Sequence, residues 1–125
     1  MSGIGTICAL VLECSDPPRL ARFWSDVLGV RVSECDGAWA SLEQSPCGRM
    51  SFQAVKDYQP PAWPGDHGGQ QMHLDVLVDD LPVATRQVIG WGAIVLNEVL
   101  DPGPKEWRVF ADPAGHPFCL VTVAE

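Results

Sequence analysis

The chain contains one structural plan written twice. Residues 9–29 read ALVLECSDPPRLARFWSDVLG and residues 73–92 read HLDVLVDDLPVATRQVIGWG. Each stretch opens with an apolar strand, passes an acidic turn at Ser15-Asp16 or Asp79-Asp80, and continues into an amphipathic helix that stops at Gly29 or Gly92. A further correspondence follows each helix, where Gly48-Arg49-Met50-Ser51-Phe52 answers Gly115-His116-Pro117-Phe118-Cys119. An internal repeat of one strand–helix–strands unit implies two copies in pseudo-twofold relation, with a central cleft between them as the expected ligand site.

Local signals place the elements. Residues 5–13 are rich in Ile, Val and Leu and suggest a strand. Ser15 or Asp16 can cap the next helix, and Pro17-Pro18 suits its first turn. Leu20, Phe23, Trp24, Val27 and Leu28 recur at helical spacing and form one apolar stripe. Short strands are expected over 30–35, 38–43 and 49–55, with turns at Asp36-Gly37 and Pro46-Cys47-Gly48. In the second copy the strand is expected over 72–78, the helix over 80–90, and further strands over 93–99, 106–111 and 117–123. The order is βαβββ twice, so the fold class is α+β with a curved mixed sheet and a central cleft. Residues 57–70, DYQPPAWPGDHGGQ, are too rich in proline and glycine for helix or central strand. They connect module one, about 1–56, to module two, about 71–125, within a single expected domain.

Charge and length narrow the function classes. The formal net charge is −8 with only Lys56 and Lys105 as lysines, which argues against nucleic acid, whose phosphates need clustered cations. No apolar run is long enough for a membrane span, and the N-terminus carries no signal-peptide pattern. The odd set of Cys8, Cys14, Cys35, Cys47 and Cys119 lacks a CxxC pair and suits reduced thiols, so a cytoplasmic location is expected.

The helix motif from Asp16 to Gly29, the stretch His73-Leu74-Asp75-Val76-Leu77-Val78-Asp79-Asp80-Leu81, and the stretch Trp107 to Pro117 resemble, in this order and spacing, the vicinal-oxygen-chelate superfamily. That superfamily includes glyoxalase I, extradiol dioxygenases, fosfomycin-modifying enzymes and bleomycin-resistance proteins. The segment from Tyr58 to Pro64 resembles the glyoxalase-like branch common in actinobacteria. In metal-dependent members the resemblance implies four ligands, one from the first and one from the fourth strand of each module. Carried onto this chain, those positions fall on Ala9, Phe52, His73 and Cys119. Ala9 and Phe52 cannot coordinate, so no metal and no other cofactor is expected. A rearranged site around His73 would draw on Glu13, Gln53, Asp75 or Cys119.

Aromatic residues are expected to fill the cleft instead. Of five tryptophans, Trp24 and Trp91 read as core, while Trp39, Trp63 and Trp107 fall where a ligand could stack. Phe52 replaces a ligand at the centre, and Gln53 should point to the other face of its strand. His73 reads either as a core histidine or as a hydrogen-bond donor or base. His116 reads as a turn residue and His67 as part of the connector. The expected ligand-binding set is therefore Trp39, Phe52, Gln53, Trp63, His73, Trp107 and Cys119, with no catalytic residue. By resemblance, the function is metal-independent sequestration of an aromatic small molecule, in the manner of natural-product self-resistance, by a homodimer. The alternatives are a metal-dependent lyase, isomerase or dioxygenase, or a metal-free enzyme using His73 and Asp75.

Overall fold

The computed structural model describes residues 3–46, 48–62, 72–96 and 107–123. The chain divides into two units, Met1–Gln59 and Pro60–Glu125. Unit one runs β1 (Ala9–Cys14), α1 (Pro17–Leu28), β2 (Val32–Cys35), β3 (Trp39–Leu42) and β4 (Arg49–Ala54). Unit two runs β5 (Leu74–Leu77), α2 (Leu81–Gly90), β6 (Ile94–Val95), β7 (Trp107–Ala111) and β8 (Pro117–Val121). Each unit forms its own four-stranded mixed sheet, in the orders β1-β4-β3-β2 and β5-β8-β7-β6. The βαβββ repeat is thus real at the level of topology. In both sheets the first strand pairs in parallel with the last, and the remaining pairs are antiparallel.

The helices begin and end as their sequences dictate. Asp16 Oδ1 accepts from the Arg19 N–H at 3.2 Å, and Asp80 Oδ1 accepts from the Val83 N–H at 2.9 Å. Each carboxylate satisfies one of the amides a helix start leaves unpaired. Gly29 closes α1 at φ 66, with its N–H donating to Ser25 O. At the end of α2, the Gly92 N–H donates to Ile89 O at 3.1 Å and the Ala93 N–H to Val88 O at 2.9 Å. That pattern needs the left-handed residue that Gly92 supplies at φ 113.

In unit one, Leu20, Ala21, Phe23 and Trp24 form the buried stripe of α1, which lies on β3 and β4. Phe23 and Trp24 meet edge to face at 5.3 Å. Ala40, Leu42 and Phe52 supply the apolar side of the sheet and are fully buried. In unit two, α2 packs on β8, and Phe110 and Phe118 stack at 5.4 Å. Leu81, Ala84 and Val88 are the buried positions of its stripe.

Three local expectations are corrected. Residues 5–8 precede the first strand, which starts at Ala9 because its partner β4 starts at Arg49. The second strand of unit two is short within the described residues, at Ile94–Val95. Trp91 is not core: it is 38% exposed at the C-cap of α2, whereas Trp24 is 1% exposed. A residue at the cap has left the buried stripe of its helix.

Candidate functional site

A strand presents alternate side chains to opposite faces, and residues paired across a sheet share a face. The register therefore sorts every candidate. In unit one the pairs Leu12–Phe52 and Phe52–Ala40 put these residues on one side. That side is the apolar one, covered by α1. The pairs Val11–Ser51, Glu13–Gln53, Trp39–Gln53 and Ser41–Ser51 put their members on the other, helix-free face. Trp39 and Gln53 stand together there, with Gln53 opposite in direction to Phe52 as expected. Phe52 does not join them. Its placement beside Trp39 is corrected: Phe52 is fully buried on the helix side, one residue out of phase with the face it was assigned to.

The same logic assembles unit two. Asp75 pairs with Cys119 and Leu77 with Val121, while Val109 pairs with Cys119 and Trp107 with Val121. His73 precedes β5 in phase with Asp75. One face of the second sheet thus carries His73, Asp75, Cys119, Val109, Val121 and Trp107. Val109, Cys119 and Val121 form a buried cluster against which Trp107 and Leu96 pack. Trp107 stands one strand across and one same-face step along from Cys119, about 8 Å by sheet geometry. Trp63 lies outside the described residues, as does His67.

At one edge of this apolar patch is a polar cluster. His73 Nε2 lies 3.2 Å from Asp75 Oδ1. Donor atoms of His73, Asp75 and Cys119 all fall within 4.8 Å of one another. Cys119 is buried, whereas the other two side chains are 41% and 36% exposed. An ion pair this accessible adds little to stability, about 1 kcal/mol at most. Its interest is chemical: an imidazole, a carboxylate and a thiol converge beside an aromatic wall. His116 is a turn residue, since its N–H and that of Ala114 both donate to the buried Asp112 Oδ1 at 2.9 Å.

The register also revises which residues of the two units are equivalent. Arg49 follows Gly48 directly into β4, but His116 intervenes between Gly115 and β8. Counting from the glycines sets Phe52 against Cys119. Pairing with the first strand sets Ser51 against Cys119, because Val11 and Asp75 occupy the matching places. The counterparts of His73, Asp75 and Cys119 are then Ala9, Val11 and Ser51. Sequence reasoning passed over Ser51 and its neighbour Ser41, both buried and linked hydroxyl to hydroxyl at 2.8 Å. Alternation in β4 is the signal that identifies them.

A family model described as a glyoxalase-like domain matches residues 9–121. No curated protein matches the chain in sequence. Among solved structures, the chain resembles a glyoxalase/bleomycin resistance protein/dioxygenase family enzyme from Burkholderia phytofirmans PsJN, at TM-score 0.70 and 16% identity over 93% of this chain and 97% of that one. It resembles a glyoxalase-related enzyme from Fulvimarina pelagi at TM-score 0.72 and 15% identity, covering 96% and 89% of the two chains. The fosfomycin resistance protein FosX from Mesorhizobium loti gives TM-score 0.70 and 14% identity, covering 98% and 95%. At these identities the likeness establishes the fold. No described helix is long and apolar enough to cross a membrane.

Proposed function

Because this chain belongs to the glyoxalase-like domain family, we propose that it binds a small aromatic molecule on the helix-free face of its second sheet and holds it by affinity alone. The observation that carries this reading is the junction of a polar cluster and an apolar wall on one face. The half-buried Trp107, backed by the buried Val109 and Val121, offers a face for a ring, and His73 with Asp75 offers a hydrogen-bonding end. Aromatic stacking adds about 0.5–1.5 kcal/mol beyond burial for a well-oriented pair. An N–H on His73 Nε2 is held toward Asp75, which fixes the ring and leaves Nδ1 to accept from a ligand hydroxyl. Sequestration of a natural product is the biological use we assign; one structure of the same fold is named a fosfomycin resistance protein. The reading extends to a cytoplasmic homodimer, which sedimentation tests directly: the 13.6 kDa monomer at every concentration would end that part.

The test is a fluorescence and calorimetric titration with a panel of phenols and naphthols. Saturable binding should weaken about tenfold in both Trp107→Ala and His73→Ala, with the far-ultraviolet circular dichroism of the folded protein retained. Binding that is indifferent to both substitutions would sink the assignment.

A second reading rests on the convergence of nitrogen, oxygen and sulfur donors within 4.8 Å. Donors bound to one zinc-like ion sit roughly 3–4 Å apart, so His73, Asp75 and Cys119 fit such an ion in kind and nearly in spacing. Three protein ligands would leave a position open, and the ion would supply Lewis-acid polarisation of a ligand oxygen. Titrating chelator-stripped protein with Zn²⁺ in a calorimeter separates the readings. Stoichiometric uptake that weakens toward acid pH, as protons compete for the donors, and that is lost in Asp75→Asn would favour the metal. No saturable uptake would leave affinity alone.

A further inference from the structure

The helix-free face of the first sheet holds buried donors without acceptors among the described residues. Trp39 Nε1–H donates to Ser41 Oγ at 2.9 Å, with a longer contact to Glu34 Oε1 at 3.3 Å. Ser41 Oγ and Ser51 Oγ lie 2.8 Å apart. An indole only donates, and each hydroxyl carries one hydrogen. Ser41 therefore accepts from Trp39, and one hydrogen is spent between the two serines whichever way it points. Among the described residues one O–H is left over, on residues each 1% exposed. Arg49 stands two residues from Ser51 on the same strand and the same face, about 6.6 Å away by strand rise. Its Nε is buried and has no hydrogen-bond partner among the described residues.

Two kinds of unspent buried donor on one face call for an acceptor. Leaving such groups unpaired costs about 1–3 kcal/mol each, more when charged. The Nε–H of a guanidinium and the adjacent Nη–H form a fork matched to two carboxylate oxygens. Two acidic residues stand on this face, Glu34 opposite Ser41 and Glu13 opposite Gln53. Glu34 is engaged by the Trp39 indole, and Glu13 sits at the far end beside Gln53.

We propose that this face binds an organic carboxylate, held by the Arg49 fork and the surplus hydroxyl of the Ser41–Ser51 pair, with the Trp39 ring alongside. The site shares no residue with the cluster of the second sheet, so the two readings stand or fall separately.

The experiment is calorimetric titration at fixed ionic strength with benzoate, benzyl alcohol and inorganic phosphate. Benzoate should bind saturably, at least tenfold tighter than the other two. Arg49→Lys keeps the charge but loses the fork, and should weaken benzoate about tenfold. The double change Ser41→Ala/Ser51→Ala should cost a similar factor. Both variants should keep the wild-type far-ultraviolet circular dichroism, and Arg86→Ala, an exposed cation on α2 that belongs to neither site, should bind benzoate normally. Equal binding of benzyl alcohol, equal binding of phosphate, or benzoate affinity unmoved by either set of changes would overturn the assignment.

Discussion

The helix-free faces of the two sheets carry different chemistry on the same scaffold. Where the second sheet has His73, Asp75 and Cys119, the first has Ala9, Val11 and Ser51. Where the first sheet builds a donor chain from Trp39 through Ser41 to Ser51, the corresponding residues of the second are Trp107, Val109 and Cys119, part of an apolar cluster. The helix-covered faces are more alike: Phe52 and Ala40 in one unit, Phe110 and Phe118 in the other, are all buried and apolar, and the exception is Arg108, which pairs with Leu120 where Ala40 pairs with Phe52. A face covered by a helix is constrained by packing, so duplication leaves it mainly apolar in both copies. A face free of its helix is not, and the copies are at liberty to specialise there.

The contrast between the two sides of one strand should produce the largest effect. Phe52→Ala should cost about 3–5 kcal/mol in urea unfolding, because it empties a packed position under α1. Ser51→Ala, one residue away, removes only a buried hydroxyl partner and should cost about 1 kcal/mol. Equal costs would break the assignment of faces.

The two glycines before the closing strands come next. Gly48 and Gly115 both have positive φ, 103 and 91, so alanine is strained at either place by about 1–2 kcal/mol. A Cβ at Gly48 meets nothing within 4 Å, whereas one at Gly115 would stand 2.5 Å from Pro60 Cβ. Gly115→Ala should therefore be the costlier by a further 1–3 kcal/mol, roughly the penalty of overpacking. Matching urea midpoints for the two variants would show that Pro60 yields without cost.

The caps test where the copies remain alike. Asp16→Ala and Asp80→Ala should each lose about 1 kcal/mol. A large disparity would mean that one helix start is held by something other than its cap. The smallest effect belongs to His73→Ala, whose stability change should fall within about 0.5 kcal/mol because the side chain is accessible. Its consequence should be confined to binding, and a stability loss of several kcal/mol would recast His73 as a structural residue.

Much of the fold was legible because its signals are local. Asp16, Pro17, Gly29, Asp80 and Gly92 act within a turn or two of themselves, so the helices could be placed from spacing alone. The candidate site was legible only in part. His73 and Cys119 were picked out by resemblance, and Asp75 entered as an alternative ligand. Phe52 was misplaced because the repeat was aligned on its glycines, and His116 adds one residue to the second turn. On a strand a one-residue error moves a side chain to the opposite face. Trp91 was misjudged for a related reason, since helical spacing does not say where the buried stripe ends.

Sequence by itself determined the βαβββ repeat, the helix boundaries and the apolar stripes, because capping, chain stiffness and periodic hydrophobicity act between neighbours along the chain. Tertiary structure decided which residues share a face: that Asp75 joins His73 and Cys119, that Phe52 belongs under α1, and that Ser51 and Ser41 meet with Arg49 on the same side. Those outcomes depend on the hydrogen-bond register between strands far apart in sequence, and register is set by the packing of the whole sheet rather than by any one segment.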